Sequence, residues 1–404
     1  MRYNAGVGIS IENYSSPTLK AITVSNNAGG GIECYNSSSL VQEVTIINNS
    51  GTGFSCQSDN TGALLKDVVI SNNTSESGGG MNISGINPEF RNVLVKDNFA
   101  VYGGGALCRS TISCVFFSGN TAMYGGGIYV AGYSSFSSLI NLIIDQNVAQ
   151  YGGRFYGGGF FSPSSFMLKN VTCAGNLGTH GGGLCLKNGY LTALNTIVWN
   201  NYPQEVYLDN SSVLFNYSDV EGRETGIESI NNSIITFHQG NIDADPLFVG
   251  FGNDPYALSA NSPCIDTEVY VSNLHIPAWD IIGNNRRWDG NGDGIVKIDM
   301  GAYEFCSILV GTESPVAANT GLAFINFPNP FASITTIEYK LEKPANVVLT
   351  VYNNMGQTVA TLVNKNQSPG KQQVQWNALS QPAGIYFIRL STGNQFVTKK
   401  IIKQ

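Results

Sequence analysis

Val93-Leu94-Val95-Lys96-Asp97-Asn98-Phe99-Ala100-Val101-Tyr102-Gly103-Gly104-Gly105-Ala106-Leu107-Cys108 is followed by Val115-Phe116-Phe117-Ser118-Gly119-Asn120-Thr121-Ala122-Met123-Tyr124-Gly125-Gly126-Gly127-Ile128-Tyr129-Val130, the same pattern 22 residues later. Each unit is a short apolar strand closed by an Asn, then a tyrosine, a glycine triplet and a second apolar strand. A unit of this size cannot bury its own apolar face and must stack on its neighbours. Working outward, the closing Asn recurs at Asn4, Asn27, Asn49, Asn73, Asn98, Asn120, Asn147, Asn176 and Asn201, at intervals of 23, 22, 24, 25, 22, 27, 29 and 25. Glycine clusters follow most of them, as at Gly29 to Gly31, Gly78 to Gly80, Gly157 to Gly159 and Gly181 to Gly183. They read as corners.

The residues after each corner alternate, and side chains along a strand have period two. The first position holds Ile9, Ile32, Phe54, Met81, Ala106, Ile128, Phe160 and Leu184, and the third holds Ile11, Cys34, Cys56, Ile83, Cys108, Val130, Ser162 and Leu186. Both columns are nearly all apolar and are expected to face inward. The second position holds Ser10, Glu33, Ser55, Asn82, Leu107, Tyr129, Phe161 and Cys185, a mixed set expected to face solvent. Before each Asn, Val24, Ile46, Ile70, Val95, Phe117, Ile144, Cys173 and Val198 form a further inward column. Coils of about 24 residues stacked about 4.8 Å apart describe a parallel β-helix. The Asn column then predicts a ladder of amides bonded from coil to coil.

Composition agrees with an all-β chain. Charged residues make up 12% of the 404 and Gly accounts for 47, whereas about 25% charge is usual and exposed helix faces are dressed with Glu, Lys and Arg. A net charge of −7 leaves no basic patch to neutralise phosphates, which excludes a nucleic-acid partner. No apolar run approaches the roughly 20 residues of a transmembrane helix. Met1-Arg2-Tyr3-Asn4 leads straight into repeat sequence rather than into a charged and apolar leader,. Because Asn4 to Ile9 aligns with Asn27 to Ile32, Met1 falls inside a coil, and further sequence is expected upstream.

Phe117-Ser118-Gly119-Asn120 and Gly104-Gly105-Ala106-Leu107 resemble the short repeats of chlamydial polymorphic membrane proteins, which are β-helical surface adhesins. Asn200-Asn201, Tyr217 to Gly222, Asp243 to Phe248, Ser262-Pro263-Cys264-Ile265-Asp266 and Asp299-Met300-Gly301-Ala302-Tyr303-Glu304 follow in the order seen at the end of many bacterial right-handed β-helix repeat proteins. At the C-terminus, Asn326-Phe327-Pro328-Asn329-Pro330-Phe331, Val347 to Tyr352 with Gly356, Trp376, Gly384-Ile385-Tyr386-Phe387 and Lys399-Lys400 closely resemble the type A sorting domain of the type IX secretion system. Short alternating strands between Pro, Asn and Gly turns suggest a small immunoglobulin-like antiparallel β-sandwich there. The repeat predicts regular coils over 1–201, the resemblances imply final coils and cap over 202–306 and the sorting domain over 324–404, and residues 307–323, which lack the repeat and carry Gly, Ser, Pro and Thr, read as a linker,. They also imply export through the type IX machinery and attachment at the outer-membrane surface.

For function, an adhesive protein that binds a surface glycan or protein is the favoured expectation. A polysaccharide lyase or glycoside hydrolase is the alternative, and a structural stalk or filament subunit a third. Glycan cleavage needs paired carboxylates or an acidic calcium set with a base. Acidic residues of the regular coils, Asp67, Glu76, Glu89, Asp97 and Asp145, share no column, and no catalytic set is assigned. His180 aligns with the corner tyrosines. The candidate ligand-binding residues are Tyr102, Tyr124 and Tyr151, which precede corners in successive coils, with Tyr129 and Phe161 at outward positions. Beside them the outward column Val69, Leu94, Phe116, Ile143 is unusually apolar for a solvated face,. Asp289-Gly290-Asn291-Gly292-Asp293-Gly294 alternates oxygen ligands as in a calcium loop. Asp289, Asn291, Asp293 and Asp299 are therefore the expected ligands of a structural Ca2+. Among the eight cysteines, Cys34, Cys56 and Cys108 fall in an inward column, where Cys acts as a small hydrophobe. Cys264 and Cys306 are the pair best placed to bridge.

Overall fold

The computed structural model describes residues 2–57, 62–84, 88–131, 137–149, 157–250, 254–267, 277–307, 324–328, 331–341, 343–353, 358–392 and 395–403. Tyr151, Gly356, Asn329, Pro330 and residues 308–323 of the expected linker lie outside them. The chain divides into two compact units, Met1–Thr312 and Glu313–Gln404.

The first unit is a parallel β-helix. One sheet stacks the strands that follow the corners, and its register joins Ile9 to Ile32, Phe54, Met81, Ala106, Ile128, Phe160, Leu184, Val206 and Ile227 in one column. A second sheet stacks the strands that precede each Asn, from Thr18–Lys20 to Ile234–Phe237. A short third sheet holds Phe99–Tyr102, Thr121–Tyr124 and Val148–Ala149. Period-two alternation sends the expected columns inward: from Ile11 through Val130 to Leu186, and from Val24 through Phe117 to Val198, the side chains are buried in one continuous core.

Inside the corner runs the amide ladder. Asn4 Nδ2 donates to Asn27 Oδ1 at 2.9 Å, and equivalent bonds of 2.9–3.0 Å continue through Asn49, Asn73, Asn98, Asn120, Asn147 and Asn176 to Asn201. Each Oδ1 also accepts the backbone N–H of the preceding ladder Asn, as Asn98 Oδ1 does from Asn73 at 2.9 Å. The remaining amide hydrogen goes to a carbonyl of the coil behind, as from Asn98 Nδ2 to Ile70 O at 3.0 Å. From Asn49 to Asn176 every polar atom of the side chain is satisfied by repetition. The glycine corner exists to admit it: a Cβ on Gly105 would lie 3.1 Å from Asn120 Nδ2 and 2.5 Å from Gly127 O. Gly103 supplies the turn itself, with φ +68.

Thiols and the second unit complete the picture. All eight cysteines are free. Cys34 and Cys56 are register partners in the inward column, and Cys264 and Cys306, the pair best placed to bridge, are both free. Instead, Cys264 donates to the buried carboxylate of Asp219 at 3.3 Å, which consumes it as a hydrogen-bonding core residue. In the second unit an antiparallel sheet of Phe324–Phe327, Ile334–Leu341 and Gly370–Asn377 and another of Thr358–Gln367, Ala345–Asn353, Gly384–Thr392 and Gln395–Lys403 enclose one core. This is a small β-sandwich. Trp376 anchors it between Phe331 and Tyr386, with ring centroids 5.5 and 5.2 Å away.

Candidate functional site

Two regions outside the β-helix core gather the residues that sequence reading singled out. The first is aromatic. Tyr102 and Tyr124 are register partners on the third sheet, and their rings stack at 5.3 Å and 9°. Tyr129 meets Tyr102 edge-on at 5.3 Å, and Phe161 lies 5.4 Å from Tyr129 and 5.6 Å from Tyr124. The glycine corner brings the two strands together, so that rings from both sheets form one cluster. Tyr102, Tyr124 and Tyr129 are half-buried. Phe161, expected at a solvent-facing position, is buried with Cys185 and Tyr207 beneath its aromatic neighbours. Leu107 is buried as well, so the mixed second column faces outward and reaches solvent at Ser10, Glu33, Ser55, Asn82 and Tyr129 but is covered at Leu107, Phe161 and Cys185. His180 packs its ring on Tyr207 at 4.7 Å.

The second region is a cap. The outward strip Val69, Leu94, Phe116, Ile143 runs in register as expected, but it is not an open contact face at its far end. Ile143 is buried, and Phe116 partly so, beneath Ala302, Tyr303, Tyr256, Ala257 and Ile281, from the closing segment of the same unit. The cap is tied down along the wall. Ala302 N donates to Thr172 Oγ1 at 3.1 Å, Gly301 N to Asn195 O at 2.7 Å, and Asn141 Nδ2 to Trp279 O at 2.7 Å.

Arg286 is the centre of this seam and is fully buried. It donates to the carbonyls of Gly301, Ala302 and Tyr303, to Asn141 Oδ1 at 2.7 Å and to Glu304 Oε2 at 3.3 Å. Asp280 accepts from the backbone of Ile282, Asn284 and Glu304. Asp299 accepts from Asp266 N at 2.7 Å and Phe305 N at 2.6 Å. Desolvation pushes Asp299 up to about 7 and Glu304 well above the usual glutamate range, with Arg286 opposing both shifts.

The four expected calcium ligands fall in two places. Asp289, Asn291 and Asp293 sit together on an exposed loop whose own backbone they bond, with Asp289 Oδ1 accepting from Gly292 N at 2.7 Å and Asp293 N at 3.1 Å. Asp299 is buried instead with Asp266 and Glu304. One bond joins the groups, from Asn291 N to Asp266 Oδ2 at 2.7 Å. Asp266, Asp280, Arg286 and Glu304 carried no chemical signal in the sequence; Asp266 and Glu304 entered only as letters of the C-terminal β-helix motifs.

Residues 1–122 match the family model for the right handed beta helix region, and residues 326–404 match that for the secretion system C-terminal sorting domain. The chain is a right-handed β-helix protein with a C-terminal sorting domain. No curated protein and no solved structure matches it. The sorting domain marks this β-helix protein for type IX secretion, to the cell surface or beyond, and implies contact with that machinery. Among the described residues no helix is long and apolar enough to cross a membrane.

Proposed function

We propose that this β-helix protein is held at the outer-membrane surface as an adhesive binding protein, and that the Tyr102, Tyr124 and Tyr129 cluster is the part of the β-helix that meets a surface glycan or protein. The observation that carries this reading is the half-buried aromatic stack, which recurs in register on successive coils. Tyrosine offers a rigid apolar body with a polar tip, and little entropy is lost in fixing it. A cleavage enzyme would instead need carboxyl groups converging on an open groove. The described carboxyls whose proton affinity is raised, Asp145, Glu205, Asp219, Asp280, Asp299 and Glu304, are all buried. That burial supports the binding reading over the catalytic one. The test is a Tyr102→Ser, Tyr124→Ser, Tyr129→Ser variant of the full chain, checked for retained fold by circular dichroism and assayed on cells and a glycan array beside a reducing-sugar release assay. Binding is expected to fall at least tenfold, with no sugar released by parent or variant. Unaltered binding in a folded variant would reduce the stack to a stabiliser of the corners, and sugar release would revive the enzyme.

A further inference from the structure

We propose that Asp266, Asp299 and Glu304 form a binding site for one hard divalent cation of the calcium class, which locks the cap onto the β-helix wall. These three side chains, each less than a tenth exposed, bring ligand oxygens within 4.8 Å of one another. Two oxygens on opposite sides of a calcium ion bonded at 2.3–2.6 Å are separated by at most about 5 Å, so the spacing admits such an ion between them. Magnesium, bonded at about 2.0–2.1 Å, would require a tighter set. All the donors are carboxylate oxygens, which suit calcium or magnesium and not a soft metal.

The hydrogen bonding leaves matching acceptor capacity unused. Asp266 Oδ1 and Glu304 Oε1 are buried and have no hydrogen-bond partner, although their companion oxygens are used by Asn291 N and by Asp299 N and Arg286. Asp280, the fourth carboxylate of the seam, is by contrast engaged by backbone donors at both oxygens. On the wall side Asn170 donates to the Asp299 carbonyl at 3.3 Å and keeps its own buried Oδ1 without a partner. A buried acceptor left unmade costs free energy, and a buried carboxylate without a counter-charge costs more. Arg286 brings one positive charge to three clustered carboxylates, and only Glu304 of the three touches it. A divalent ion supplies the rest. The exposed Asp289 loop, whose oxygens are already spent on its own backbone, is thereby a neighbour of the site rather than its ligand set.

The full-length chain, dialysed against chelator, would be titrated with calcium chloride by calorimetry and melted with and without the ion. One ion per chain is expected, with a rise in Tm of about 5 °C at saturation. Asp266→Asn and Glu304→Gln should each weaken binding at least tenfold, whereas a double Asp289→Asn, Asp293→Asn variant should bind like the parent. Hydrogen exchange on the unaltered chain gives a second reading that needs no variant: calcium should protect peptides covering 264–267 and 298–306. The site is overturned by absence of uptake, or by loss of binding in the loop variant alone. Protection confined to 289–295 would also overturn it, as would amide variants that raise Tm equally with and without calcium, the mark of carboxyls that share protons and need no ion.

Discussion

The Asn ladder and the cap seam both bury polar groups against the same coils, yet they solve the problem in opposite ways. In the ladder a neutral amide meets identical amides above and below, and repetition satisfies every donor and acceptor. In the seam a single guanidinium serves acceptors from two stretches of chain, 301–304 and Asn141, and the carboxylates around it outnumber it. Stacking identical groups needs no charge. Docking an irregular segment on a regular wall does, because its carbonyls find no strand to pair with and require one multivalent donor in their midst. The ladder is thus a property of the repeat, and the seam a property of individual residues.

If that contrast holds, the largest single effect lies at Arg286. Replacing it by Leu leaves a buried Glu304 and a fan of carbonyls without their donor, a loss of about 3–5 kcal/mol. The damage should stay local, with hydrogen exchange accelerated over 277–306 and unchanged at the ladder amides. Uniform acceleration across both regions would break the comparison, since the seam would then be part of the core's cooperative unit. Gly301 comes next. Its φ is +86, and a Cβ would lie 2.7 Å from Thr172 Oγ1 and 2.8 Å from Ile197 Cδ1. Gly301→Ala combines a left-handed backbone with overpacking and should cost about 2–4 kcal/mol, read by chemical denaturation. A neutral result would mean the cap rides loosely on the wall.

Asn98→Ala, in mid-ladder, strips Asn73 of an acceptor for two donors and leaves Ile70 O and Asn120 Oδ1 short of one each. A cost of about 1–3 kcal/mol is expected, again from denaturation, and the cap should remain in place. An unchanged midpoint would deny the ladder any energetic role.

The two regions also differ in how far sequence revealed them. Inward columns, glycine corners and the ladder were legible because each recurs, and a recurring residue type at fixed spacing leaves a trace that alternation can decode. A further corner column was missed although it keeps the same spacing: Ala21, Glu43, Asp67, Asn92, Cys114, Asn141, Asn170 and Asn195 all take φ between 48 and 56. Here the backbone repeats while the residue type scatters. The seam was invisible for a stronger reason, since the bond from Arg286 to Asn141 spans 145 residues and occurs once. Spacing alone could not place Asp299, which falls one short of the twelfth position of the Asp289 loop and is buried with Asp266 and Glu304. In the aromatic region the register of Tyr102 on Tyr124 was readable from the repeat; the burial of Phe161 depends on neighbours from other coils and was not.

The ladder's own end supplies the finest test of the contrast, because there repetition fails and a charged residue type appears. Asn201 has no Asn partner ahead of it; its backbone N and Nδ2 both donate to Glu205, at 2.9 and 2.6 Å. Burial pushes the Glu205 carboxyl from the ordinary 4.5 up to about 8, against the lowering effect of the Asn201 bonds, while the facing Glu221 raises it further. The folded state therefore holds the proton more tightly than the unfolded chain. Stability from this group is fully present below about pH 4.5 and declines as pH rises through about 8, above which both states are ionised, with a slope of at most about 1.4 kcal/mol per pH unit,. Glu205→Gln should flatten that part of the pH profile of unfolding while leaving the slope below pH 4 unchanged. Within any one pH unit this is the smallest effect of the four. A profile identical to the parent's would mean that the carboxyl is ionised in the fold and that the ladder's last amides bond to a charge, which would make its end resemble the seam rather than the repeat.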